Sequence, residues 1–348
     1  MSTPYSKRKR RSTKPHTPGS VYGIRNKRRR SENEDDSISY TFLPERLYFS
    51  ADVSDEVEDE LQDLTGETWT VFRVSPMHNF EYSRIRLKQY SRKMKENLTV
   101  NLPQAKMELH YDVNFSVAEG ISATEHDNEA VRITVNAKRQ MNSRNTDTRT
   151  YYLGFLVCRG APATMQENSS VHLPVLLCKG RVGIINSVHN ILQKFFECVI
   201  VPFTLTQEDL TWICALQSEE VARGRQAAVM EMVFTAPRLS VKNVINFKLP
   251  LASLKILWKC IHDSNLDYAS FEEVKKFYDF LLEQISTMSS INVACCQLIK
   301  IKTPTLMVTN ETKFRATSEK VVRLILSFLY DGTTLINSCI PTLGMQPD

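Results

Sequence analysis

Glycine is scarce, with 11 in 348 residues, and the loops that need it are missing. No GxxxxGKS/T and no GxGxxG stretch occurs, so the backbone cradles that hold nucleotide phosphates are not written here. The GxSxG elbow, the HExxH pair and the EF-hand loop are absent as well. Eight cysteines occur, none in CxxC spacing, which argues against a zinc module or a disulfide scaffold. Apart from the adjacent Cys295 and Cys296 they are scattered among apolar residues and read as reduced, mostly buried thiols. Long apolar runs are also lacking. Tyr151 to Cys158, and Val321 to Tyr330 with Arg323 inside it, fall short of the roughly 18 to 20 residues that cross a bilayer, and the charged N-terminus carries no apolar signal region.

Acidic residues are missing from the first 30 positions, which hold Lys7, Arg8, Lys9, Arg10, Arg11, Lys14, Arg25, Lys27, Arg28, Arg29 and Arg30. The rest of the chain carries 33 bases against 39 acids, so the overall charge of +5 belongs to the tail and the body is acidic. Residues 1–40 have too few large apolar side chains to offset ordering entropy and are expected to be a disordered basic and then acidic tail. The clusters Lys7–Arg11 and Lys27–Arg30 have the spacing of a two-part nuclear import signal, with a polybasic arm for any polyanion as the alternative.

Beyond the tail, hydrophobic residues at 42% support a packed body. Two parts are expected, 41–165 and 166–348. Val57, Leu61 and Leu64 at helical spacing suggest a short helix leading in, followed by a strand over Thr68–Val74 closed by Ser75 and Pro76. A helix is expected over Ser83–Lys95. Leu109, Tyr111, Val113, Phe115 and Val117 alternate with polar residues as a half-buried strand does, and Val131, Ile133, Val135 and Ala137 repeat the pattern. Tyr151–Cys158 reads as a more deeply buried strand. No long helix separates these three, so they are expected to be antiparallel.

In the second half, a strand near Val171–Cys178 precedes a helix over Ile185–Cys198, and Thr206 with Asp209 approximates a capping box. Strands are expected over Val229–Phe234 and Val244–Leu249, then a helix opened by Pro250 and another opened by the Ser270–Glu273 box. A strand near Ile291–Ile301 and a helix over Ser318–Tyr330 complete the pattern. The class is α+β, with mostly antiparallel sheets and packed helices.

Catalytic chemistry has little to stand on. His110 falls on the polar side of its strand, His189 on an apolar helix, and Glu272 with Glu273 at a helix start, where carboxylates favour the dipole. No enzyme, cofactor or metal is expected. The positive feature is a stripe on the first helix: at 100° per residue Arg84, Lys88, Arg92 and Lys95 fall within about 80° of one another, apart from Leu87, Tyr90 and Met94. That stripe suits a phosphate backbone or an acidic partner. A second set, Arg132, Lys138, Arg139, Arg144 and Arg149, is expected around a loop between two strands. Ile291, Val293, Cys295, Gln297 and Ile299 are expected on one face of an exposed strand edge that a partner strand extends.

Two blocks carry a resemblance. Trp69, Thr70, Val71 and Phe72, then Ser75, Pro76, Phe80, Tyr82 and Ser83, with Leu87, Tyr90, Ser91 and Arg92, are similar to the opening of the centromere protein L family. Phe195, Phe196, Glu197, Cys198, Pro202, Leu210, Thr211 and Trp212 are similar to a later block of it. The similarity runs from about residue 66 to 331, leaving out the tail. It implies a curved, saddle-like α+β fold whose C-terminal half supplies a heterodimer contact. It also implies a non-enzymatic subunit of the inner kinetochore network, in the nucleus at the centromere. The implied partners are centromere protein N in a heterodimer, centromere protein C and other inner kinetochore subunits, and the centromeric nucleosome and its DNA, with no membrane. The other reading is a self-sufficient nuclear DNA-binding or DNA-processing protein acting through its basic tail and loop.

Overall fold

A computed structural model describes residues 47–48, 61–101, 109–121, 127–139, 148–158, 170–219, 228–236, 244–262, 268–311 and 313–337. In chain order the strands of the first half are β1 (Leu47–Tyr48), β2 (Trp69–Val74), β3 (Met77–His78), β4 (Leu109–Ala118), β5 (Ala130–Arg139), β6 (Thr148–Val157), β7 (Ser170–Val171) and β8 (Val175–Gly180). Those that follow are β9 (Ile200–Pro202), β10 (Val229–Thr235), β11 (Val244–Pro250), β12 (Tyr268–Ala269), β13 (Gln297–Lys302), β14 (Leu306–Thr309) and β15 (Lys313–Ala316). The helices are α1 (Arg84–Asn101), α2 (Val182–Phe196), α3 (Gln207–Glu219), α4 (Leu251–Ile261), α5 (Phe271–Ser289) and α6 (Glu319–Asn337).

Eleven strands form one open antiparallel sheet in the order β11-β10-β13-β14-β15-β2-β8-β6-β5-β4, with β9 also on β2. Sequence period two divides the side chains between two cores. From β2, Trp69 and Val71 enter the larger core, and Val74 enters the smaller. On β8, Val175 and Leu177 point to the larger core while Leu176 and Cys178 point to the smaller. On β6, Leu153, Phe155 and Val157 are likewise opposed to Tyr152 and Leu156. Strands covered on both sides need apolar residues at every position, which is why Tyr151–Cys158 reads as an unbroken run. Residues of α1 and α2 line the smaller core; those of α3, α4 and α5, with most of the buried face of α6, line the larger.

The expected α+β class and antiparallel pairing hold. The expected disordered tail lies outside the described residues. Of the expected lead-in helix, Val57 lies outside the described residues and the described part is a 3-10 turn, Gln62–Leu64, with Leu61 and Leu64 fully buried; Trp69 Nε1 donates to the Leu64 carbonyl at 2.9 Å and pins it. Both capping boxes form. The Thr206 N–H donates to Asp209 Oδ2 at 2.7 Å and the Asp209 N–H to Thr206 Oγ1 at 3.1 Å. Ser270 and Glu273 do the same at 2.8 and 3.3 Å.

One expectation is corrected. Ile291, Val293, Cys295, Gln297 and Ile299 do not share a strand edge: Val293–Cys295 is a 3-10 turn opened by Asn292, whose side chain accepts from the Ala294 N–H. Only Gln297 and Ile299 lie on β13, and β13 is an interior strand between β10 and β14. The alternation was real, but Asn292 offers its backbone a local hydrogen bond that starts a turn instead.

Candidate nucleic-acid and partner interface

The helix α1 lays Leu87, Tyr90, Met94 and Leu98 into the smaller core, where Tyr90 packs against Phe80, Phe115 and Phe196. Around the helix from that face, its stripe centred about 120° away, Arg84, Lys88, Arg92 and Lys95 are exposed to solvent. The four are not equivalent. Arg92 Nε lies 3.1 Å from Glu96 Oε1, one helical turn on, while Arg84, Lys88 and Lys95 have no salt bridge among the described residues.

The second basic set comes apart. Lys138 and Arg139 close β5 opposite His110 and Leu109, and Arg149 begins β6 opposite Ala137, so these three mark one end of the sheet. Arg132 is six residues back along β5, roughly 20 Å away at strand rise. There its Nη1 meets Asp63 Oδ2 at 2.8 Å and its guanidinium sits 5.6 Å from the centre of the Phe155 ring. Arg132 fastens the entering 3-10 turn to the sheet and does not belong to the loop. Arg144 lies outside the described residues, as do the import clusters Lys7, Arg8, Lys9, Arg10, Arg11 and Lys27, Arg28, Arg29, Arg30.

The two edges of the large sheet are finished differently. At β4, the Ser91 hydroxyl of α1 donates to the Leu87 carbonyl at 2.8 Å and accepts from the Phe115 N–H at 3.0 Å. That amide points away from the β5 ladder, so a helix occupies the position a further strand would take. At β11 no strand or helix makes such a contact among the described residues. Ile245, Phe247 and Leu249 face the larger core, while Val244, Asn246 and Lys248 are exposed on the other face. Seven residues in register with β10 leave alternate N–H and C=O groups turned outward. An edge strand's exposure is a tertiary property, and no residue pattern in the sequence distinguished β11 from the interior strands.

Two groups that could do acid–base work, His189 and Asp209, are buried as packing. His189 is enclosed, its Nε2 3.5 Å from the Tyr152 hydroxyl and its ring edge-on to Phe72, and burial lowers it to about 4, so it stays neutral near pH 7. Burial raises Asp209 against the opposing pull of the Thr206 hydrogen bonds and Arg73. No group of three His, Cys, Asp or Glu able to hold a metal ion, and no helix long and apolar enough to cross a membrane, occurs among the described residues.

The fold and its surfaces define an α+β protein built around one broad antiparallel sheet, with one edge covered by a helix, one edge open among the described residues and a basic helix face. The centromere protein L family model matches residues 63–331, and the chain belongs to that family. The similar curated proteins include centromere protein L of Xenopus tropicalis, 24% identical over 275 residues covering 76% of this chain and 78% of that one. Centromere protein L of Homo sapiens is 23% identical over 273 residues, with the same coverage, and that of Danio rerio is 21% identical over 284 residues, covering 78% and 76%. The resemblance drawn from the two aromatic blocks therefore holds, and it places the chain among proteins of the centromere and kinetochore.

Proposed function

We propose that this chain is a non-enzymatic structural subunit of the inner kinetochore that pairs with centromere protein N and, with centromere protein C and other subunits, helps hold centromeric chromatin for chromosome segregation. The observation that carries the pairing is the asymmetry of the sheet edges: α1 caps β4 through Ser91, while β11 stands open among the described residues. Proteins ordinarily cover, shorten or charge their edges because an open one recruits other chains. A seven-residue edge with Val244 at its start and a single charge, Lys248, suits an added strand whose backbone supplies affinity and whose side chains supply choice. In this reading residues 166–348 form the dimerisation part, since β11 lies within them. The test is co-expression with centromere protein N and size-exclusion chromatography. Val244→Asp with Lys248→Glu, both on the exposed face, should abolish co-elution while the chain alone keeps its melting temperature; stoichiometric co-elution of the folded variant would reject the edge.

The stripe on α1 supports a direct contribution to DNA binding. Three exposed cations on one rigid helix, without salt bridges among the described residues, match a phosphate backbone and carry no base information. The basic set at the β5–β6 end and the import clusters in the tail would add to the same electrostatic term. Alanine at Lys27, Arg28, Arg29 and Arg30 should shift a fluorescent fusion toward the cytoplasm, and an unchanged nuclear signal in cells lacking centromere protein N would remove the import role. A chain that binds DNA tightly at physiological salt without its partner would favour the self-sufficient DNA-binding reading.

A further inference from the structure

Of the seven described cysteines, Cys260 is exposed on α4 by itself and the other six fall into two groups. Cys158, Cys178, Cys198 and Cys214 are buried, and burial raises their thiols to about 11, 12, 11 and 12. Enclosed in the two cores, these four are packing groups out of reach of a dissolved oxidant. Cys295 and Cys296 are neighbours in the turn between α5 and β13. Cys295 ends the 3-10 turn, is exposed, and its Sγ donates to the Asn292 carbonyl at 3.1 Å. Cys296 leaves the turn in an extended conformation, with φ −100° and ψ 151°, and is 7% exposed at the margin of the larger core. The two are adjacent in the chain, Cys295 facing solvent and Cys296 facing the protein, where burial and the neighbouring Cys295 raise the Cys296 thiol.

We propose that Cys295 and Cys296 are a reversible redox-modification site that closes to a disulfide between neighbouring residues under an oxidant of the hydroperoxide class. In the first step the Cys295 sulfur attacks the peroxide, the O–O bond breaks and an S–O bond forms. The cysteine is oxidised by two electrons to the sulfenic acid, and the departing oxygen takes the Cys295 thiol proton and leaves as water or an alcohol. In the second step the Cys296 sulfur attacks the Cys295 sulfur, the S–O bond breaks and the S–S bond forms. The departing hydroxide takes the Cys296 proton and leaves as water. The exposed thiol meets the oxidant and the sheltered one resolves it, the arrangement that redox-sensing pairs share.

Covalent geometry makes the product labile. Neighbouring Cα atoms stand about 3.8 Å apart across a trans peptide, whereas disulfides ordinarily span about 4.4 to 6.8 Å. The ring is strained, and strained disulfides are the readily reduced, regulatory kind. Closure also draws the Cys296 sulfur away from the core. The next residue, Gln297, pairs with Thr235, which pairs with Val244 at the start of β11. The site is therefore about two strand spacings, roughly 10 Å, from the open edge. Any effect on partner binding rests on the edge reading above; the chemistry does not.

The experiment exposes the full-length protein to hydrogen peroxide, blocks remaining thiols with N-ethylmaleimide, and maps the digest by mass spectrometry. The expected result is loss of two hydrogens on the peptide holding both cysteines, without alkylation, reversed by reduced glutathione. Cys295→Ser and Cys296→Ser should each abolish it and Cys260→Ser should not. A sulfinic or sulfonic acid at Cys295 without a disulfide, a link from Cys295 to Cys260 or Cys339, a link between chains, or an unmodified pair would each overturn the proposal. Phenylarsine oxide provides a probe without oxidation. One molecule per reduced chain, lost in Cys295→Ser with an unchanged circular dichroism spectrum, is expected, and no binding would overturn the pairing of the thiols.

Discussion

Replacing Arg84, Lys88 and Lys95 together by alanine separates charge from fold on one helix. The three lie within about 40° around α1, and the outer two stand eleven positions apart, roughly 16 Å along its axis. None has a salt bridge among the described residues, and Arg92 beside them is 3.1 Å from Glu96. Removing a cation that neutralises one phosphate should flatten the plot of log affinity against log salt by about 0.9. The triple variant should therefore lower the slope by about 2.7, and adding Arg92→Ala should lower it by clearly less than a further full step, because Glu96 already offsets that charge. Stability should hold, since Leu87, Tyr90, Met94 and Leu98 do the packing and alanine favours helix. The assay is a salt titration of duplex DNA binding by anisotropy, with the tail removed and the partner present, because the 11 bases of residues 1–30 would otherwise dominate. The weakening should be equal across DNA sequences. An unchanged slope in a folded triple variant would refute the reasoning and return the stripe to an ordinary solvated face.

The Ser91 hydroxyl holds an outward amide of β4, so Ser91→Ala should cost about 1 to 3 kcal/mol in urea unfolding, and a cost under about 0.3 would mean the edge is satisfied by water. Ser270→Ala removes one half of a capping box and should cost about 1 kcal/mol, read the same way. His189 gives a pH signature. Its folded value of about 4 lies below the free value near 6.5, so the unfolded chain binds the extra proton between them and stability rises with pH across that window, in full above about 6.5. The two and a half units correspond to roughly 3 kcal/mol, so His189→Met should flatten the curve between pH 4 and 6.5, and an unaltered curve would assign it to other groups.

What could be read from the sequence follows from how local each cause is. Capping boxes involve residues three apart, so Thr206–Asp209 and Ser270–Glu273 were visible. Leu87, Tyr90 and Met94 declared the inner face of α1 through the helical period. The run Tyr151–Cys158 declared a strand covered on both sides. The hairpin β14–β15 escaped notice because its strands are four residues each, too short for alternation to stand out. The turn that leads from β13 into β14 is held from a distance, by Gln217 of α3, whose Oε1 accepts from Thr303 and Thr305 at 3.1 Å each. The misplaced interface had a local and a distant cause. Asn292 starts a turn over Val293–Cys295, and β13 is paired on one side with the nearby β14 and on the other with β10, more than 60 positions back. Arg132 looked like part of a basic loop until its distant partner Asp63 was seen.

If the open edge β11 receives centromere protein N, as proposed, and the guarded edge β4 does not, hydrogen–deuterium exchange of the chain, alone and in complex, reads the difference directly. Amides of residues 244–249 should gain protection on binding and those of 109–118 should stay as they are. A stable complex that leaves 244–249 exchanging as in the free chain, or that protects the β4 edge instead, would contradict the pairing.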